Sequence, residues 1–391
     1  MTIMQYAAIT DRLADTGGAK WAIHQRCREM KREGADIIEL TIGEPDLPPD
    51  PQLFEVCHRS MIAGRTGYSS GRGEPELLEA IAARYARRRA GVDTSNVMCF
   101  PGTQTALFAT LMGLTGPGDG VLVGDPFYAT YEGVIRASGA HRESVPLKAE
   151  NGFRLSAEDL EAAITPKSRV LLLNSPQNPS GAVLSAEEIS RIGAVCKAHD
   201  LWIVSDEVYE ELVFDGVFAS PFDDPALAER TIALSSISKS HAAPGFRSGW
   251  AVGPREFCEK LLPLSETMLF GNQPFIADMT AFALNSDIAT SKQMRTDYKR
   301  RSNLFADRLE ALPGLVPYRP QAGMFIIVDV SATGLDGESF AWRLLEHGVA
   351  VMPGSSFGEN AGNLIRLSLT VPDEMVEAAC GRIAAFVEAR Q

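Results

Sequence analysis

The 391-residue chain carries 50 acidic and 37 basic residues, a formal net charge of −13, with 45% apolar and 22% charged residues. That length allows two or three domains and a large core, while the acidic balance argues against nucleic acid, whose binding needs clustered lysines and arginines to displace counterions. The six cysteines are scattered without a Cys-x-x-Cys pair, so they read as small buried hydrophobes and not as disulfides or metal ligands.

Residues 1–15 include Asp11 and Arg12 and lack the apolar core of a secretion signal, which reads as a cytoplasmic protein in a reducing compartment. Over residues 21–33 apolar and charged positions mix at helical spacing, and Gly34 closes the segment. Ile37-Ile38-Glu39-Leu40-Thr41-Ile42 reads as a short strand. It opens into Gly43-Glu44-Pro45-Asp46-Leu47-Pro48-Pro49, too rich in proline for a helix and either an interdomain linker or a substrate-facing loop. Tyr68-Ser69-Ser70-Gly71-Arg72-Gly73 is, taken alone, an exposed loop with one aromatic. The helix starting at Pro75 has Glu76 and Glu79 early and Arg84, Arg87, Arg88 and Arg89 late, a pattern that complements the helix dipole.

Val97-Met98-Cys99-Phe100, Pro101-Gly102-Thr103-Gln104-Thr105 and apolar residues 106–114 make a strand, a glycine turn and a helix. The free amides and dipole of such a helix start form an anion site, so Gly102, Thr103 and Gln104 are candidates for holding a phosphate. The same pattern also occurs as plain structure, and it lacks the G-x-G-x-x-G and G-K-[ST] of nucleotide binders. Residues 98–118 are uncharged, yet Pro101, Gln104 and Pro117 leave an apolar run too short for a bilayer. A buried strand from Val121 ends in an aromatic turn holding Phe127, Tyr128 and Tyr131, which by composition alone belongs to the core. Arg169 to Asn174 is another strand, and Ser175-Pro176-Gln177-Asn178-Pro179-Ser180-Gly181 its turn. Ser185 and Glu188 cap the next helix.

Leu201-Trp202-Ile203-Val204-Ser205-Asp206 ends an apolar strand on a carboxylate, expensive to bury unless a cation or a metal pairs with it. Glu207 and Glu210 read as solvated or structural. After Thr231-Ile232-Ala233-Leu234 comes Ser236-Ile237-Ser238-Lys239, which sets an amine at the edge of a sheet, where partial desolvation favours the neutral nucleophile. Eight residues on, Arg247 offers a planar fork for a phosphate, flanked by Gly245 and Gly249, with Ser236 adding a hydroxyl. An amine with a phosphate clamp points to pyridoxal phosphate. Residues 276–312 read as a long helical tract leading to a second domain with strands at 322–328, 349–353 and 364–369. Arg366 sits in the middle of the last, and a buried arginine requires an anion: a structural carboxylate or a ligand's.

Ser-x-Ser-Lys, followed at eight residues by an arginine between two glycines, resembles the cofactor-lysine signature of the class I/II aminotransferases, pyridoxal-phosphate enzymes of fold type I; Ser248 departs from it, the family usually having an aliphatic residue there. Asn178-Pro179-Ser180-Gly181 is similar to the family's Asn-Pro-Thr-Gly. The resemblance runs from about Gly43 to the carboxyl terminus. It implies an α/β fold with a large α/β/α domain built on a mainly parallel seven-stranded sheet (residues 48–280) and a smaller α/β domain from both chain ends (1–47 and 281–391). It also implies a transaminase moving an amino group from an L-amino acid to a 2-oxo acid, 2-oxoglutarate foremost, through a Lys239 Schiff base. By the same resemblance Asp206 holds the pyridine nitrogen charged, Tyr209 and Asn178 donate to the phenolic oxygen, and Tyr128 stacks on the ring. Gly102, Thr103, Gln104, Ser236 and Arg247 surround the phosphate. Arg366, Asn178 and Gly43 face the substrate carboxylate, and Tyr68 reaches a partner's cofactor across a homodimer with shared sites.

Rival chemistries fare worse. Related folds host carbon–sulfur lyases, which use the same lysine and stay the alternative. Gly354-Ser355-Ser356-Phe357-Gly358 matches a hydrolase G-x-S-x-G, but the last histidine, His347, precedes it. A ligand-sensing regulator needs a DNA-binding domain, and too few residues precede Gly43 for one. No H-E-x-x-H is present and no metal site is expected.

Overall fold

The computed structural model describes residues 4–14 and 18–389; residues 1–3 and 15, part of the segment read as lacking a secretion signal, lie outside them. The first strands in chain order are β1 (Ile38–Glu39), β2 (Val97–Phe100), β3 (Gly120–Asp125), β4 (His141–Pro146), β5 (Ser168–Asn174), β6 (Trp202–Asp206), β7 (Thr231–Ser236) and β8 (Gly249–Val252). They are followed by β9 (Val316–Tyr318), β10 (Phe325–Asp329), β11 (Val349–Ala350), β12 (Met352–Pro353) and β13 (Leu364–Ser368).

β2 to β8 make one sheet of seven strands in the order β2-β8-β7-β6-β5-β3-β4, parallel throughout except for the two pairings of β8. Its inner strands are buried along nearly their whole length, β7 at all six positions, which is why they appear in the sequence as unbroken apolar runs, while the edge strand β4 alternates. Because parallel strands end at a common edge, the turns after β2, β3, β5, β6 and β7 open on one side of the molecule, and antiparallel β8 starts there. The remaining strands form an antiparallel sheet β12-β13-β10-β9 and a parallel pair β1-β11. A single apolar core unites Ile23, Ile38 and Leu40 with Phe305, Phe340, Val349 and Leu367.

The structure corrects several boundaries. The strand expected over 37–42 pairs only at Ile38 and Glu39, and that expected over 349–353 divides at Val351 to serve two sheets. The helical tract over 276–312 is two helices, Pro274–Asn285 and Thr290–Glu310, parted at residues that are poor helix formers, Asn285, Ser286 and Asp287. The capping box of Ser185 and Glu188 opens the helix Ala186–Ala198 as expected.

The late arginines of the helix Pro75–Ala86 do more than complement its dipole. Arg84 lies 3.1 Å from Glu210 and 2.5 Å from Glu211, and Arg88 lies 3.0 Å from Glu210. Glu207, fully buried beside them and pushed by burial to about 8, is structural and not solvated. Ser235 of β7 donates to Glu210 and so joins this network to the large sheet. All six cysteines are free and buried. Among the described residues no helix is long and apolar enough to cross a membrane, and no acidic, histidine or cysteine cluster could hold a metal ion.

Candidate active site

At the shared strand edge lies a cavity of about 270 Å³, closed on the other side by Ile42, Gly43, Phe325 and Arg366. One end of it is an anion seat. The helix Thr103–Leu114 starts at Gly102, which has φ 85° and no side-chain cap, so its first amides are free. The Thr103 hydroxyl is buried without a partner. Arg247, in the left-handed region at φ 53°, spends its guanidinium, among the described residues, on the carbonyls of Pro244 and Pro101. A Cβ on Gly102 would lie 2.1 Å from the Arg247 Nη2, and one on Gly249 would lie 2.7 Å from the Thr103 nitrogen, so both glycines are needed for this corner to close. Ser236, at the end of β7, accepts from the Ser238 amide and also lines the cavity. Gln104 accepts from Thr130.

Across the cavity Asp206, 6% exposed, ends β6. Tyr131 donates to it at 2.6 Å and the Val208 amide at 3.4 Å. It forms no ion pair with any described residue, and burial holds its carboxyl above the usual range. A carboxylate so placed is prepared for a cation that the chain does not itself supply. Tyr128, half-buried, stands edge-on to Tyr131 with centroids 5.5 Å apart. Asn178 donates to the Tyr209 hydroxyl at 3.4 Å, and burial raises that phenol well above its ordinary value.

Lys239, one short turn beyond β7, donates to the Gly43 carbonyl at 2.6 Å. Desolvation, then the nearby charge of Arg366, brings its amine down to about 8. Arg366 is 2% exposed, and its guanidinium carbon sits over two rings, 3.8 Å from the Phe325 centroid and 4.4 Å from that of Phe357. It donates to Asn178 Oδ1 at 3.1 Å and the Thr41 carbonyl at 2.6 Å, its Nε has no partner, and burial lowers it to about 10. The structural salt bridge left open by the sequence is not formed among the described residues. The arrangement can therefore hold a flat, phosphorylated aromatic ring with Lys239 at its edge, and a carboxylate on Arg366.

Of the residues singled out in the sequence, Gly43, Thr103, Gln104, Tyr128, Asn178, Asp206, Tyr209, Ser236, Lys239, Arg247 and Arg366 all line this one cavity, with Gly102 against Arg247. Tyr68 is elsewhere: it is 93% exposed, its ring 5.7 Å from that of Phe270. Gly245 has open space where a Cβ would stand, so no close approach requires it. Sequence reading missed Trp21 in the cavity wall, Tyr131 on Asp206, and the two phenylalanines around Arg366.

A family model described as aminotransferase class I and II matches residues 35–383. The chain is 44% identical over 384 residues to an arginine–pyruvate transaminase of Pseudomonas aeruginosa, covering 97% of this chain and 98% of that one. It is 33% identical over 383 residues to an aspartate aminotransferase of Musicola paradisiaca, covering 96% of each. A solved Thermus thermophilus aspartate aminotransferase, a double mutant, matches with a TM-score of 0.93 at 32% identity, over 98% of this chain and all of that one.

Proposed function

The chain belongs to the class I and II aminotransferase family, and from that premise we propose that it moves the amino group of arginine, or of another donor without a second carboxylate, to pyruvate, with Lys239 as the reacting amine. Dependence on pyridoxal phosphate and transfer to a 2-oxo acid come with the family, and the carbon–sulfur lyase alternative is unsupported.

The residues present fit that cofactor. The unpartnered Thr103 hydroxyl, the free helix amides and Arg247 suit its phosphate, and the uncompensated Asp206 suits its ring nitrogen. Tyr128 supplies a face for the ring, and Tyr209 with Asn178 supplies donors for its phenolic oxygen. When bound, the cofactor supplies an aldehyde that takes up the amino group and a ring that draws electrons from the carbon losing its proton. Arg366 binds the α-carboxylate through its fork, with Asn178 and the Gly43 backbone beside it, and thereby turns the α-carbon toward Lys239. Lys239 Nζ takes the α-proton as general base and, as general acid, delivers it one step later to the carbon that carries the aldehyde in the free cofactor.

The single observation that carries the substrate class is the charge inventory of the cavity. Its lining cations are Lys239, Arg247 and Arg366, and the three are taken by the amine, the phosphate and the α-carboxylate. Toward Trp21, Ile42 and Gln104 no described cation remains for the second carboxylate of aspartate or 2-oxoglutarate, and an unpaired buried charge is strongly disfavoured. Among the described residues the cavity lining holds no carboxylate besides Asp206 for a guanidinium either, so arginine and pyruvate rest on the relative named for them, with pyruvate proposed as acceptor where the sequence reading put 2-oxoglutarate foremost. Paired donors and acceptors should give kcat/KM for arginine with pyruvate about tenfold or more above aspartate with 2-oxoglutarate; the opposite order would refute this reading.

An amine at about 8 has a definite pH signature. Well below pH 8 the neutral fraction falls tenfold per unit, so capture of added pyridoxal phosphate by the cofactor-free protein, trapped with borohydride, should rise with pH through a midpoint near 8 and level off above about 9. A profile still climbing at pH 10 would mean an unperturbed lysine.

We further assign 48–280 to the large domain and 1–47 with 281–391 to the small one, supported by the core that both chain ends share. A cytoplasmic homodimer is supported by the free buried cysteines and by exposed Tyr68 and Phe270, at 93% and 73%. The dimer would bring a partner's Tyr68 to each site.

A further inference from the structure

The aromatic clamp on Arg366 is held from an unexpected direction. Phe357 belongs to a loop between β12 and β13, and that loop is fastened to the carboxyl end of β3 in the large sheet. Asp125, the last residue of β3 and 1% exposed, accepts the Glu359 amide at 3.1 Å on Oδ2 and the Asn360 amide at 3.3 Å on Oδ1. Two residues on, the Phe127 amide donates to the Phe357 carbonyl at 2.7 Å. Gly358, at φ 138°, is what lets the carboxylate in: a Cβ there would lie 2.0 Å from Asp125 Oδ1. Arg142 is the nearest cation, 4.0 Å from Oδ2, and is itself engaged by Glu132 at 2.7 Å. The strand side is anchored separately, because Gln177 donates to the Pro126 carbonyl at 2.6 Å. Trp21 packs into the same knot, against Ala129, Met352 and Phe357, and Ser356 donates to the Lys20 carbonyl at 2.9 Å.

We propose that Asp125 is a positioning residue for substrate recognition: by stapling residues 357–360 to the end of β3 it sets the Phe357 ring under Arg366 and so fixes the carboxylate clamp. The inference rests on the assignment of Arg366 to the substrate carboxylate. Its consequence is a separation of effects. The fixed end of the staple carries Tyr128 and the free end carries Phe357, so loosening it disturbs carboxylate binding and leaves the cofactor seat in place.

The test uses the holoenzyme and propanoate, a carboxylate without an amine, titrated by calorimetry. Asp125→Asn keeps one acceptor oxygen and sets an NH2 against the second amide. It should weaken propanoate about tenfold and raise KM for amino acids to match, with kcat and the cofactor dissociation constant within about twofold of the parent. Gly358→Ala pushes the same staple apart and should reproduce the shift, and the double variant should show less than the sum of the two. A purely structural role would lower the melting temperature without this KM-specific effect, and an unchanged propanoate affinity in both single variants overturns the proposal. Arg366→Lys serves as the reference: if it weakens propanoate and Asp125→Asn does not, the staple alone fails; if it too leaves propanoate unchanged, the clamp assignment fails and the staple with it.

Discussion

A Lys239→Ala variant is expected to lose transamination by more than about 10⁴-fold, since one group is removed that serves both as covalent anchor and as proton carrier. Its fold should persist. The lysine has one hydrogen bond, to the Gly43 carbonyl, and its amine is lowered to about 8 by burial, so at neutral pH it carries a charge that its surroundings disfavour. Truncation removes that penalty, and the melting temperature should stay level or rise. Three measurements separate the roles: turnover in a donor panel, the visible band of bound cofactor, and rescue by added methylamine. Cofactor should still bind through the phosphate corner, which Lys239 does not build, and methylamine should return part of the proton transfer. Turnover near the parent rate would remove Lys239 from the reaction.

What the sequence disclosed follows from the geometry of a parallel sheet. Strands buried on both faces are written as unbroken apolar runs, and the first polar residue beyond each run stands at the edge where ligands bind. Asp206 ends β6 itself, while Lys239 and Asn178 come within four residues of β7 and β5, so position and chemistry could be read together. The missed residues had no such marker. Tyr131, Phe325 and Phe357 are aromatic residues in apolar surroundings and by composition belong to the core, as indeed they do; that one of them holds a carboxylate and two lie against a guanidinium depends on contacts across 75, 41 and 9 residues of chain. Asp125 reads as one more polar strand end, and only the loop that returns to it 234 residues later shows its partner. The break at 286–289 was hidden because propensity shifts over so few residues are small beside the helical pattern on either side. Tyr68 is legible only through family likeness, since nothing among the described residues of this chain brings it to the cavity.

Arg366→Lys should be the second most damaging change, and the one that tests substrate recognition most directly. The guanidinium is charged at neutral pH even though burial lowers it to about 10, and no described carboxylate compensates it. Two of its donor groups are fixed by Asn178 and Thr41, which orients the plane, and the Nε edge stays free. Lysine keeps the charge and loses both the fork and the flat face that sits over Phe325 and Phe357 at 3.8 and 4.4 Å. It also leaves Asn178 Oδ1 or the Thr41 carbonyl without its donor. At about 1.5–3 kcal/mol for each charge-assisted hydrogen bond, losing one or two lowers kcat/KM by about 10- to 10⁴-fold. The loss should fall mainly on KM, for donor and acceptor alike, because both carry the same carboxylate and both hold it before and during the chemical step. Cofactor should stay bound, since the phosphate seat at Gly102, Thr103, Ser236 and Arg247 does not include Arg366. If KM for arginine and for pyruvate stayed at the parent values, the carboxylate would have to bind elsewhere, and the buried, partly unpartnered guanidinium over two phenyl rings would be left without a purpose.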